Sequence, residues 1–257
     1  MGNTVIQARS LSKTYIADGV QSHVLGSIDL EIYEGDWTAI MGPSGSGKST
    51  LLYCLSGMDT PTSGDVFFRG KAISDLKESQ MAELRAQHFG FVFQQSQLVS
   101  NLTLFENIAV PGYLKSGRRD SDTRAIAEEL LERMGLSTER NHLPSQSSGG
   151  EQQRCAIARS VVNQPDVLFA DEPTGALNRA NTDEVLSLLG ELSAEGQTIC
   201  MVTHDARCAA HANRVIYLDD GAIRGEMPLQ RRGDALDQEV LREREAQVIA
   251  WLSSLEW

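Results

Sequence analysis

Gly42-Pro43-Ser44-Gly45-Ser46-Gly47-Lys48-Ser49-Thr50 is the stretch that decides the fold of this chain. It fills the pattern G-x-x-x-x-G-K-[ST] with Gly42, Gly47, Lys48 and Ser49, after an apolar run at 37–41 and before helix-forming residues at 51–55. Gly42, Gly45 and Gly47 admit backbone conformations that a Cβ forbids, so successive N–H groups can converge on phosphate oxygens at a helix N-terminus. Pro43, Ser44, Ser46 and Thr50 complete the loop. Lys48 is then placed to reach the β- and γ-phosphates of a nucleotide, and Ser49 to give its hydroxyl oxygen to Mg²⁺. A Gly/Ser-rich turn between a strand and a helix is the plain alternative, and the offsets of the glycines, Lys48 and Ser49 decide against it.

Val167-Leu168-Phe169-Ala170-Asp171-Glu172 supplies the second part of that chemistry. An apolar run of this length, bounded by Pro165, reads as a buried parallel strand carrying two carboxylates to the C-terminal edge of a sheet. Ligands bind at that edge in open α/β sheets. Asp171 is therefore expected to orient Mg²⁺, and Glu172 to polarise the attacking water as general base.

With these two motifs in order, and Ser147-Ser148-Gly149-Gly150-Glu151 between them, the chain resembles an ATP-binding cassette subunit, the nucleotide-binding domain of ATP-driven membrane transporters, over residues 4–224. The resemblance implies an α/β P-loop NTPase core of the RecA-like type, with a mostly parallel sheet, a small antiparallel β subdomain and an α-helical signature subdomain. It also implies that Ser148, Gly149, Gly150 and Glu151 reach across a dimer to the γ-phosphate held by another copy. A helix continuing from Gln152 would present these residues at its positive end. Taken alone, Ser-Gly-Gly reads as a helix cap. Further positions match the family in sequence order. Tyr15 stands where an aromatic ring stacks on adenine, a use that suits its flat face. Gln94 stands where a glutamine contacts Mg²⁺ or the lytic water, and His204 where a histidine senses the γ-phosphate. The site implied by the resemblance thus comprises Tyr15, residues 42–50, Gln94, residues 148–151, Asp171, Glu172 and His204, with ATP and Mg²⁺ bound.

Two residues depart from the family pattern. Ser147 replaces the usual leucine before the signature, forfeiting apolar anchoring, and Asn178 replaces the usual aspartate while keeping a side-chain acceptor. Reduced or partner-dependent turnover is expected from them.

The chain has 257 residues, 41% of them hydrophobic, enough for one large or two smaller lobes. The expected division is an ATP-binding domain at 1–224 and a helical extension at 225–257. Within the first, the α/β core and antiparallel lobe take 1–95 and 160–224, and a helical lobe takes 96–159. Strands are expected at 5–15, 24–32, 37–41, 66–71, 167–170, 198–202, 215–218 and 222–224, and helices at 101–108, 122–134 and 181–192. Pro111 and Gly112 should interrupt the first helix. No internal repeat is visible, so one cassette is expected.

In the extension, Leu236, Val240, Leu241, Val248, Leu252 and Leu255 fall near one helical face, broken by charges at 242–245, with Trp251 and Trp257 beside them. This reads as a helix packed on its own core or as a docking helix for a partner.

Thirty-five acids against 23 bases give a net charge of −12, which argues against nucleic acid and anionic lipid as direct partners. No apolar run approaches the roughly 20 residues that span a bilayer, and residues 1–9 lack a secretory core, so a cytoplasmic location is expected. Cys54, Cys155, Cys200 and Cys208 show no C-x-x-C spacing and read as reduced, buried thiols.

The resemblance implies as partners a second copy of the chain and a separate integral membrane permease, holding the chain at the cytoplasmic face of the plasma membrane. Residues 102–111 with 173–178 resemble the branch serving macrolide exporters, lipoprotein release and antimicrobial-peptide resistance. Two other uses fit the motifs. One is ATP-driven signalling or envelope remodelling without transport, and the other is a regulatory ATP-binding module with little hydrolysis.

Overall fold

The computed structural model describes residues 2–17, 19–115, 119–229 and 237–255. Its elements run β1 (Thr4–Ala17), β2 (Val20–Tyr33), β3 (Trp37–Met41), α1 (Lys48–Leu55), β4 (Ser63–Phe68), β5 (Lys71–Ala72), α2 (Glu78–His88), β6 (Phe89–Val92), α3 (Leu104–Leu114), α4 (Asp120–Arg133), a 3₁₀ turn (Pro144–Gln146), α5 (Gly149–Val161), β7 (Val167–Asp171), α6 (Arg179–Ala194), β8 (Thr198–Val202), α7 (Ala206–Ala209), β9 (Arg214–Asp219), β10 (Ala222–Pro228) and α8 (Gln238–Ser254). They form two compact units, one of residues 1–81 and 190–257 and the other of residues 82–189.

The first unit carries the small antiparallel sheet, in the order β2-β1-β4-β5. Along β1, Val5, Ile6, Ala8 and Leu11 turn into the core, and Ile6, Leu11, Ile28 and Ile32 are wholly buried. The same unit holds β3, every residue of which is buried, paired in parallel with β8 on one side and β9 on the other. Strands shielded on both faces need continuous apolar runs, which is why Trp37-Thr38-Ala39-Ile40-Met41 lacks alternation. β10 closes this edge antiparallel to β9. Arg214, 6% exposed, fixes the start of β9: its Nε donates to Thr38 Oγ1 at 3.0 Å and its Nη1 to Glu226 Oε1 at 3.0 Å.

In the second unit β6 pairs in parallel with β7, register Phe89 to Val167 through Val92 to Ala170. Phe91 and Phe169 stack across the pair at 5.7 Å and 20°, and Phe89 meets Phe169 edge-on at 5.2 Å. Such pairs add about 0.5–1.5 kcal/mol beyond area burial. The helices α3, α4 and α5 belong to this unit, and α3 begins with a capping box between Thr103 and Glu106.

Two expectations are corrected. Pro111 does not break its helix: α3 runs through it to Leu114, because a proline in the last turn removes only one backbone bond. The charged stretch at 242–245 does not wholly interrupt the buried face of α8 either. Arg244 lies inside that helix, 7% exposed, and its guanidinium donates to the Ala212 carbonyl at 2.6 Å. Leu236 and Trp257 lie outside the described residues.

The same helix turns one face into its own unit. Val248 and Leu252 are fully buried, and Trp251 meets Tyr217 of β9 edge-on at 6.5 Å. The helix therefore packs on the first unit. Leu252→Ala should cost about 2–4 kcal/mol, as for other buried leucines, read as a lower urea midpoint. An unchanged midpoint would show that α8 adds nothing to the core.

All four cysteines are buried and none forms a disulfide. Burial pushes the thiols of Cys54, Cys155 and Cys200 up to about 12, which keeps them protonated and unreactive.

Candidate active site

The phosphate loop lies in the first unit between β3 and α1. Gly42 has φ +154°, and a Cβ there would lie 1.9 Å from the Leu218 carbonyl oxygen and 2.8 Å from Ser46 Oγ. Gly47, with φ +98°, caps α1 without a side chain, and a Cβ on it would sit 2.8 Å from the Val24 carbonyl oxygen. Only glycine fits either position. Lys48 is 7% exposed, and its ammonium donates to the carbonyls of Gly42 at 2.9 Å and Pro43 at 2.8 Å. These two bonds hold the buried ammonium against the backbone of the loop. Ser46 Oγ is buried and has no hydrogen-bond partner among the described residues. A cradle that a Cβ would fill, a buried ammonium and an unpartnered hydroxyl together fit a triphosphate.

Tyr15 stands at the end of β1 in the same unit and is 41% exposed. Its hydroxyl donates to Asp59 Oδ2 at 2.6 Å, and the Lys13 ammonium lies 4.7 Å from the ring centroid. Partial burial and the Asp59 hydrogen bond push the phenol up to about 12. His204 follows the buried strand β8 and is exposed. Asp205 beside it caps α7, accepting from the Arg207 N–H at 2.8 Å.

In the second unit, Asp171 ends β7 and Glu172 follows it in the left-handed region at φ 46°. That conformation costs a non-glycine residue about 1–2 kcal/mol, and it turns the chain sharply off the strand at the carboxylate. The turn closes with the Gly175 N–H donating to the Glu172 carbonyl at 3.0 Å. Gln94, exposed beyond β6, is brought against this turn: a Cβ on Gly175 would lie 2.9 Å from Gln94 Nε2. The structure thus assembles Gln94 with the loop after Glu172, two stretches far apart in sequence.

What joins them is Gln153 of α5, which sequence reading passed over. It is 2% exposed, and its Nε2 donates to the Phe93 carbonyl at 2.9 Å and the Pro173 carbonyl at 2.8 Å. One amide thus holds the residue before Gln94 and the residue after Glu172. No local pattern announces it, because its partners lie 60 and 20 residues away.

The signature residues begin α5. Ser148 is its N-cap, its Oγ accepting from the Glu151 N–H while the Glu151 carboxylate accepts from the Ser148 N–H at 2.8 Å. The cap leaves the Ser148 hydroxyl proton available to donate. Glu151 is occupied by the cap, whereas Ser148 and Gly149 are exposed at the helix terminus. Gly150 is buried, and a Cβ there would strike the Asn181 side chain at 2.6 Å.

The two departures keep local anchors. Ser147 Oγ donates to the Leu143 carbonyl at 3.3 Å, and the Gln152 amide donates to the Ser147 and Pro144 carbonyls at 3.0 and 2.9 Å. Hydrogen bonds replace the missing apolar anchor. Asn178 Oδ1 accepts from the Asn181 N–H at 3.0 Å, as an N-cap of α6 would. Because Asn and Asp cap comparably, Asn178→Asp should change stability by less than about 0.5 kcal/mol, read by urea unfolding. Because that cap is intact, turnover should, against the expectation from sequence, stay within about threefold of wild type; a larger gain would show that the lost charge limits hydrolysis.

Among the described residues no group of three His, Cys, Asp or Glu stands together as a metal cage. Mg²⁺ takes one or two protein oxygens and completes its shell with phosphate and water, and in the first unit Ser49 on the phosphate loop is of the type that offers one.

A phosphate loop, an acid-tipped strand and a capped Ser-Gly-Gly helix define an ATPase of the cassette type. The model of the ABC transporter family matches residues 25–175, and the chain belongs to that family. Among its relatives is the macrolide export ATP-binding/permease protein MacB of Wolinella succinogenes, 46% identical over 224 residues, 87% of this chain and 34% of that protein. MacB of Mannheimia succiniciproducens is 45% identical over 220 residues, 85% of this chain and 34% of that one. The chain therefore spans about a third of the length of these curated relatives. A solved dimeric ATP-binding cassette in a post-hydrolysis state, bound to ADP and Pi, superposes with a TM-score of 0.82 at 37% identity, covering 88% of this chain and all of that one.

Proposed function

We propose that this chain works as one of two copies that close on ATP and reopen on hydrolysis, driving a membrane permease that exports or extracts peptides, lipoproteins or drugs. The observation that carries the proposal is the N-terminus of α5. Ser148 keeps a free hydroxyl proton at an exposed, positively polarised helix end, on a chain that already has a complete phosphate loop for its own nucleotide. A second phosphate-binding terminus is explained if it serves the nucleotide of another copy, giving a twofold assembly with two ATP molecules held reciprocally.

In this reading the loop at 42–50 and Lys48 bind the phosphates and Tyr15 stacks on the base. Ser49, Asp171 and Gln94 hold Mg²⁺, and Glu172 takes a proton from the attacking water while Gln94 and His204 fix the water and the γ-phosphate. Bound Mg²⁺ would neutralise charge on the β- and γ-phosphates. Glu151 acts through the cap that holds Ser148 and Gly149 in place. Loss of the γ-phosphate removes what both halves grip, so the pair loosens.

Two observations support a permease partner, which we place at the cytoplasmic face of the plasma membrane. The curated relatives are ATP-binding/permease proteins. In the second unit Val99, Val110, Tyr113 and Leu114 are exposed, Leu114 at 80%, and Gln94, Ser96, Leu98, Gly149 and Leu177 line a groove of about 370 Å³. The net charge of −12 opposes a nucleic-acid partner.

The test is affinity capture of tagged Glu172→Gln protein with ATP and Mg²⁺ from detergent-solubilised membranes of the native host, followed by mass spectrometry. An integral membrane protein recovered with ATP and absent without it is the expected result. Recovery of soluble proteins alone would overturn the transport reading.

A further inference from the structure

Tyr15 is not a free aromatic side chain. Its hydroxyl is held by Asp59 Oδ2 at 2.6 Å. The other oxygen of Asp59 accepts from the Lys13 ammonium at 2.5 Å and from the Thr60 N–H at 2.8 Å. Lys13 is 8% exposed, donates also to the Thr60 carbonyl at 2.7 Å, and covers one face of the Tyr15 ring at 4.7 Å. Burial acts to raise the Asp59 carboxyl, but the Lys13 and Tyr15 hydrogen bonds and the Lys13 charge outweigh it and hold it below the usual carboxylate range. Asp59 itself is fixed by the turn after α1, where its N–H donates to the Tyr53 carbonyl at 3.1 Å.

We propose that Asp59 and Lys13 are positioning residues for the base of ATP: they clamp the hydroxyl and one face of Tyr15, so that the ring meets adenine already oriented. The proposal rests on the reading of Tyr15 as the stacking residue. A half-exposed tyrosine left free would lose rotamer freedom on stacking, and a ring held at its hydroxyl has lost it beforehand. The ammonium on one face leaves the other for a flat partner and withdraws electron density from it, which favours an electron-rich purine.

The carboxylate uses both oxygens for donors, which an amide cannot do. Asp59→Asn leaves one oxygen for three donors and turns an NH₂ toward either Lys13 or the phenol. Binding of ATP and of inorganic tripolyphosphate, which carries the three phosphates without the base, is measured by calorimetry for wild type, Asp59→Asn, Lys13→Gln and Tyr15→Ala. Asp59→Asn and Lys13→Gln should each weaken ATP about three- to tenfold, the ordering cost of one side chain, and leave tripolyphosphate within about twofold. Parallel weakening of both ligands would show that Asp59 merely supports the turn after α1, and no weakening of either would also overturn the proposal. Should Asp59→Asn fail to fold, Lys13→Gln decides alone on the same criterion. Tyr15→Ala keeps the underlying reading separate. If it spares ATP affinity, stacking on Tyr15 fails; if it weakens ATP selectively while the other two variants do not, only the clamp fails.

Discussion

Replacing Glu172 by glutamine is expected to lower ATP turnover by about 10²–10⁴-fold and to yield a stable ATP-bound dimer. The amide keeps the size of the carboxylate but cannot accept a proton from water. Because the position already sits in the left-handed region at φ 46°, with its turn closed by the Gly175 N–H, nothing in the backbone needs to change when the side chain does. Binding and chemistry are thereby separated: the phosphate loop and the signature residues stay intact while the step that releases them is removed. Size-exclusion chromatography with light scattering should show a dimer in ATP and Mg²⁺ and a monomer in ADP. Lys48→Ala, which removes the buried ammonium from the loop, should stay monomeric in both. Glu172→Gln protein that stays monomeric in saturating ATP would contradict the proposed assembly.

The parts of this site that were legible in the sequence are those whose geometry is dictated locally. Gly42 and Gly47 must be glycine because backbone carbonyls lie where a Cβ would go, and Lys48 follows at a fixed offset. Asp171 and Glu172 announce themselves because a strand shielded on both faces needs an unbroken apolar run, and polar residues can begin only where it ends. The cap at Ser148 was equally visible, as Ser three residues before Glu.

What stayed hidden depends on tertiary contact. Asp59 and Lys13 are 46 residues apart and look like ordinary surface charges until the turn after α1 meets β1. Helix α2 was missed because it buries only Met81, so it carries almost no periodic signal. The charged run at 242–245 read as an interruption of the apolar face because burial of an arginine is costly unless its guanidinium finds a carbonyl, and nothing near Arg244 in sequence reveals Ala212 as that carbonyl. In each case the deciding partner is distant along the chain.

Gln153 is the case with the greatest consequence, and Gln153→Leu tests it. Leucine has a similar volume and suits a helix, so the packing of α5 should survive. The carbonyls of Phe93 and Pro173 would lose their donor, one of them in a fully buried contact. An orphaned buried carbonyl costs about 1–3 kcal/mol and the part-buried Phe93 carbonyl can turn to water, so the variant should lose about 1–3 kcal/mol, read from urea unfolding. A second effect separates this residue from one that only fills space. Gln153 lies five residues beyond Ser148 on one helix, about 7.5 Å along its axis at 1.5 Å per residue, so the signature terminus and the Gln153 amide move as one body. Through that amide the position of Ser148 is tied to the loops bearing Gln94 and Glu172. Below its unfolding transition, Gln153→Leu should therefore still bind ATP like wild type, because the phosphate loop is untouched, yet turn it over at least about tenfold more slowly, since small misplacement of reacting groups is costly. Loss of stability with normal turnover would make Gln153 a structural tie only. Normal stability and normal turnover together would mean that the Phe93 and Pro173 loops are held by other contacts, and that the signature helix does not communicate with the catalytic carboxylate by this route.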